Sequence, residues 1–148
     1  MPNRVADAFR VEIADLPRST EAERWVVQRV GQNLFRAALL DFWQGRCCVT
    51  GLELPELLRA SHIKPWASCD SDDERLDVFN GLLLSPTMDA LFDAGLMTIG
   101  EDGSVLLSRL LPAEAVATLV AQPPGPIKGL RPQHARYLSY HRDFVWRA

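Results

Sequence analysis

No apolar run here reaches the roughly 20 residues that a bilayer-spanning helix requires; the longer ones are the size of GLLL, Gly81 to Leu84. No membrane association is therefore expected. A surplus of positive charge is also missing. Sixteen basic and 19 acidic residues leave a net charge of −3, which excludes a protein that coats nucleic acid by charge alone. Cysteine is scarce: Cys47, Cys48 and Cys69 are an odd number, two of them adjacent. That is no disulfide framework and fits a reducing compartment. The opening MPNRVADAFRVEIADLP has no apolar segment followed by a small-residue cleavage site, so no secretion signal is expected, and the expected location is the cytoplasm. Internal repeats and low-complexity tracts are absent. What is present, 148 residues of which 47% are hydrophobic, is enough for one domain with its own core.

Residues 1–18 have no clear period and read as an N-terminal arm, leaving a single domain over 19–148. Thr20 followed by Glu23 fits a capping box. Val30, Leu34, Ala38 and Phe42, with Val27 beside them, then predict the apolar face of a long helix that Gly45 ends. Cys47 to Thr50 and Leu57 to Ile63 are strand candidates, and Pro65 breaks the second into a loop. The stretch CDSDDERLD, Cys69 to Asp77, reads as a solvated acidic turn. After the buried run at Gly81, SPTMDALFDAG reads as a compact helix with Ser85 as N-cap, Pro86 at its first position and Gly95 as its stop. Leu91 and Phe92 face inward. A hairpin turning at Glu101-Asp102-Gly103, a helix over Pro112 to Val120 and a last helix over Pro132 to Trp146 complete the chain.

Chemistry concentrates in the middle. Asp89 and Asp93, four residues apart on the short helix, share one face. Such a pair is either a solvated helix face or the oxygen donors of a cation site, where a positive ion relieves their repulsion. Asn80 precedes Asp89 by nine residues, and His62, in ASHIKPW, precedes Asn80 by 18. Taken alone, His62 reads first as a satisfied core imidazole, with a metal ligand or a catalytic base as the alternatives.

The order His62, Asn80, Asp89, Asp93 over strand, loop, strand and helix resembles the HNH endonucleases. Their ββα-metal fold carries a histidine on the first strand, an asparagine in the intervening loop and a metal ligand on the helix. Their pattern after the asparagine, Asn-Leu-x-x-Leu-Cys-x-x-Cys-His-x-x-x-His, is kept in frame by NGLLLSPTMDALFD, with Ser85 and Met88 in the cysteine places and Asp89 and Asp93 in the histidine places. RVGQNLFRAALLDFWQGRCCVTG, RASHIKPWA, NGLLLSPTMDALFDAGLMTI and YLSYHRDFV resemble a bacterial subgroup related to restriction and phage-defence effectors. The likeness runs from about Thr20 to Trp146. It implies an α+β fold: a ββα-metal core over about 46–95, flanked by N- and C-terminal helices and a β-hairpin.

The resemblance implies a metal-dependent endonuclease that hydrolyses DNA, expected to be double-stranded, and leaves 5′-phosphate and 3′-hydroxyl ends. His62 is then the general base, Asn80 the residue that orients its strand, and Asp89, with Asp93 beside it, the metal site. Two departures matter. Three of four structural zinc ligands are missing, Thr50, Ser85 and Met88 standing in the places beside Cys47, so no structural zinc is expected. Cys47 and Cys48 read as small buried hydrophobes. Ser61 stands where many members place a ligand just before the histidine. Oxygen donors and water then suit Mg²⁺ or Mn²⁺.

Arg59 and Lys64 are candidates for holding backbone phosphates, or ordinary surface charge. Arg29, Gln32 and Arg36 fall at helical spacing and read as a solvent face, with a DNA-facing role as the alternative. Trp66 reads as a core anchor, His134 as a surface residue, and His141 and Arg142 as contacts either to the core or to a phosphate. The competing reading of the whole chain is a catalytically weak or inactive module on the same fold that binds DNA or a partner. A further one is a nuclease that needs a partner or a homodimer to cut.

Overall fold

The structure, a computed structural model, describes residues 2–148. Met1, the first residue of the expected arm, lies outside them. The rest of that arm is not irregular. Asn3 caps a helix, α1 (Arg4–Ile13), by accepting the Ala6 N–H at 3.0 Å. Ala6, Phe9 and Ile13 form its buried stripe. Val11, 77% exposed, lies on the outer face and blurs the period, which is why the sequence reads as patternless.

α1 packs on α2 (Glu21–Phe42), where Gly31 lets the Phe9 ring approach so closely that a Cβ would lie 3.2 Å from it. The expected capping box is in place, with Glu23 N–H on Thr20 Oγ1 at 3.1 Å and Thr20 N–H on Glu23 Oε1 at 3.0 Å. The fully buried face of α2 is Gly31, Phe35 and Leu39, one residue round from the expected one; Val27, Val30, Leu34 and Phe42 are partly buried beside it. α2 lies across two elements at once, so its buried sector is wider than a single stripe. Gln44 and Gly45, both at positive φ, turn the chain away after it.

Cys47 to Thr50 is a tight turn and not the expected strand. Its backbone curls round the Cys47 sulfur, which accepts the N–H of Thr50 at 3.3 Å and of Ser85 at 3.2 Å. β1 (Arg59–His62) pairs antiparallel with β2 (Gly81–Leu84), setting His62 opposite Gly81 and Ser61 opposite Leu82. β2 is buried along its whole length and leads through the Ser85 cap into α4 (Pro86–Asp93). Between β1 and β2 lies the acidic stretch, folded and not merely solvated. It contains the one-turn helix α3 (Asp72–Arg75).

After Gly95, β3 (Met97–Ile99) and β4 (Val105–Leu107) form the expected hairpin, with Gly103 at φ +82° in its turn. α5 (Ala113–Leu119) and α6 (Ala135–Phe144) follow. The architecture is α+β, a β1–β2–α4 core flanked by helices and a hairpin. The core runs continuously from Ala6 and Phe9 through Phe35 and Leu82 to Tyr137.

Two histidines help close that core. His134 is fully buried, contrary to its reading as a surface residue. The Arg131 N–H donates to its Nδ1 at 2.9 Å, and Phe42, Trp43 and Phe79 surround the ring. His141 belongs to the core as well: it stacks on Phe92 at 3.8 Å, Thr98 bonds its Nδ1 at 2.7 Å, and its Nε2 donates to the Phe92 carbonyl at 2.9 Å.

Candidate active site

β1 ends on His62, and every side of its ring but one is occupied. Phe35 of α2 stacks on it at 4.0 Å and 13°. Trp66 meets it edge-on at 5.5 Å. Its Nε2 lies 2.7 Å from the carbonyl of Arg75, the last residue of α3. A carbonyl only accepts, so Nε2 carries the hydrogen and Nδ1 keeps its lone pair. Among the described residues no group bonds Nδ1, and it is not one of their fully buried unpaired atoms; it opens to solvent. Burial lowers the pKa of His62, outweighing the carbonyl bond, which raises it. The ring is neutral near pH 7 with one free acceptor nitrogen, which is what a general base requires.

Glycine at position 81 makes this possible. A Cβ there would lie 2.6 Å from Phe35 Cζ and 2.7 Å from Leu39 Cδ1. Across from His62, only an absent side chain leaves room for the ring that supports it.

Asn80 is fully buried and does not face the cleft. Its Oδ1 accepts the Lys64 N–H at 2.8 Å, and its Nδ2 donates to the carbonyls of Glu74 at 3.1 Å and Lys64 at 3.3 Å. It ties both ends of the loop between β1 and β2, the loop whose Arg75 carbonyl holds His62. The same loop takes up Lys64. That ammonium bonds Glu74 at 2.9 Å, sits 5.1 Å over the Tyr140 ring and is only 13% exposed. The expectation that Lys64 grips phosphate is therefore not met by a free cation; its charge is spent on the loop.

His62 opens onto a cleft of about 360 Å³ that it shares with Asp89, Arg59, Arg36, Arg29 and Glu56. Arg59 is exposed and makes no ion pair among the described residues. Asp89 is half-buried. Burial raises its pKa, the Ser61 hydroxyl lowers it, the Asp93 charge raises it and Arg59 lowers it, with a net rise. Asp93, one turn further along α4, is exposed and does not line the cleft. Its contribution at Asp89 is charge.

The donors suit a hard divalent cation. They are the Asp89 and Glu56 carboxylates, and the ionised Asp89 is destabilised by burial and by a second negative charge, which a cation relieves. Among the described residues no three His, Cys, Asp or Glu side chains converge as a complete metal site. Water and a substrate phosphate would have to complete the shell, as they do for Mg²⁺-like ions. At the zinc-like positions, the Cys47 sulfur is already occupied by two backbone N–H groups.

Sequence reasoning singled out His62, Asn80, Asp89 and Arg59, and gave Arg29, Gln32 and Arg36, which line the cleft, as a solvent face with a DNA-facing alternative; it did not single out Phe35, the Arg75 carbonyl or Glu56. Phe35 lies on the helical period and was legible in principle. A backbone carbonyl 13 residues away in sequence has no sequence signal.

Residues 47–100, from the Cys47 turn through β3, match the family model described as HNH endonuclease. No curated protein matches the chain. Among solved structures, a modification-dependent TagI restriction endonuclease is similar at 24% identity and a TM-score of 0.49, over 72% of this chain and 35% of that one. The chain thus spans about a third of that protein's length.

Proposed function

We propose that this HNH endonuclease domain hydrolyses DNA phosphodiester bonds, with His62 as the general base and a divalent cation, Mg²⁺ or Mn²⁺, held at Asp89. One observation carries the reading: a neutral imidazole, locked by a carbonyl at Nε2, presents Nδ1 to a cleft that also contains the Asp89 carboxylate and Arg59, an arginine with no ion pair among the described residues. Nδ1 takes a proton from a water molecule as its oxygen forms a bond to phosphorus. The bond from phosphorus to the 3′ oxygen breaks, and that oxygen takes its proton from solvent. Arg59 sets the phosphate against the cleft. Asp89, with the Ser61 hydroxyl lowering its pKa and Asp93 adding to the local field, would hold the cation, which would supply positive charge to neutralise the phosphate and the departing oxygen. Asn80 is a positioning residue: it keeps the loop whose carbonyl fixes the His62 tautomer.

The test is nicking of supercoiled plasmid with Mg²⁺ or Mn²⁺. His62→Ala should lose cleavage by 100-fold or more, on the order of the general-base contribution; equal activity in the variant rejects the assignment. The sparse donor set favours one second reading, a module that binds DNA without cutting it. Metal-independent DNA binding with no cleavage under any divalent ion would select that alternative.

A further inference from the structure

α2 carries a feature that the cleft alone does not use. At 100° per residue, Trp25, Arg29, Gln32 and Arg36 fall within a sector of about 60° on one side of the helix. Arg36, Gln32 and Arg29 line the cleft beside His62. Arg36 is anchored there by its bonds to the carbonyls of Leu58 and Pro55, the latter at 2.8 Å. Trp25 continues the stripe outward for one more turn. It is 61% exposed, an unusual position for so large an apolar ring. The Arg29 guanidinium lies 5.5 Å over that ring. Arg29 also makes a 3.4 Å bond to Gln32 and no ion pair among the described residues. No acidic residue interrupts the stripe between Trp25 and Arg36. The chain as a whole is acidic, so this is a local positive track that starts at the catalytic imidazole and ends on an exposed aromatic.

We infer that this stripe carries the flank of the DNA substrate away from the cleft, with Arg29 on a backbone phosphate and Trp25 packed on the neighbouring nucleotide. The inference rests on the reading of the cleft as a DNA-cleaving site. Two properties select nucleic acid over a protein partner: the continuity of the stripe with the cleft, and an unneutralised cation stacked on an aromatic face, a pairing suited to phosphate next to sugar or base. Eleven residues of helix span about 16 Å, about five base-pair steps of duplex at 3.4 Å each. The contact at Trp25 is therefore made by DNA well outside the scissile linkage.

The experiment uses the His62→Ala protein as parent, so that binding is read without cleavage. Fluorescence anisotropy measures its affinity with Mg²⁺ for labelled duplexes of about 8 and about 24 base pairs, lengths that fail and suffice to reach Trp25 at 3.4 Å per step. Adding Trp25→Ala should weaken binding to the long duplex about 10-fold, as expected for loss of one aromatic–nucleotide contact, and leave the short one unchanged. Adding Arg29→Gln should reduce the slope of log affinity against log salt by about one, the signature of one lost phosphate contact. Both positions are exposed, and unchanged melting temperatures will show that the fold is intact. Equal affinity and equal salt slope in parent and variants overturns the inference, as does loss of equal size on both duplexes. Persistent plasmid nicking by the His62→Ala parent would instead overturn the catalytic assignment, a separate result.

Discussion

His62 is confined by its neighbours to one tautomer and one protonation state. Its folded pKa is below the ordinary 6.5 because burial disfavours the imidazolium. The base form therefore survives to lower pH than in a free histidine, and the acid limb of kcat/KM should fall below pH 6.5, measurable by initial rates of plasmid cleavage across pH 5 to 8. A limb well above 6.5 would mean that another group limits the reaction. Asn80 makes a different prediction. Asn80→Ala leaves the Lys64 N–H and the Lys64 and Glu74 carbonyls without their partner, so it should cost about 3 kcal/mol in urea unfolding and lower cleavage together with stability. Asn80→Asp restores an acceptor for Lys64 but faces oxygen towards both carbonyls; it should be no more stable than the alanine variant.

At the scale of elements, β1, β2 and α2 meet at one crowded point. Gly81→Ala inserts a methyl group where Phe35 and Leu39 already touch the strand. Overpacking of this kind costs about 1–3 kcal/mol. The displaced ring is the one stacked under His62, so activity should fall further than unfolding free energy alone explains, detectable as a kcat loss under conditions where the protein is fully folded. The helix ends were readable beforehand. Thr20 with Glu23, and Ser85 with Pro86 and Gly95, act through neighbours within a few residues, so their chemistry is visible in the order of the chain. α1 and the Cys47 turn were not. A stripe diluted by outward-facing Val11 and a turn wrapped round a sulfur gain their stability from α2 and from Ser85, residues that local pattern does not connect to them.

For the whole molecule, all three histidines are held neutral by burial: His62, His134 and His141 have lowered pKa values. The unfolded chain takes up a proton on each near pH 6.5, while the folded protein does so only at lower pH. Between those values the unfolded state binds more protons, so stability is intact above 6.5 and is lost as pH falls through the window. Each histidine adds up to about 1.4 kcal/mol per pH unit to that loss. Asp89 acts in the opposite sense, because its raised pKa makes the fold the stronger proton binder in its range. The melting temperature should drop between pH 7 and pH 5, and His134→Gln should flatten the drop even though it lowers stability at pH 7; an unchanged pH profile in that variant would contradict the neutral buried assignment. Charge also has to be read at this scale. A net −3 coexists with a positive track on one face, which no composition total reveals.

The sequence by itself determined the α+β arrangement, the caps and stops of the central helices, the hairpin turn, and the spacing of His62, Asn80 and Asp89. All of these depend on residues near one another or on an order of motifs preserved along the chain. Only the tertiary structure decided how they are used. It turned the acidic stretch into the clamp that gives His62 its carbonyl, drew Lys64 out of the candidate phosphate site, buried His134 and His141, kept Asp93 outside the cleft and brought α2 along its edge. Each of these outcomes depends on groups far apart in sequence competing for the same space, the same hydrogen bond or the same charge, and that competition exists only once the chain has folded.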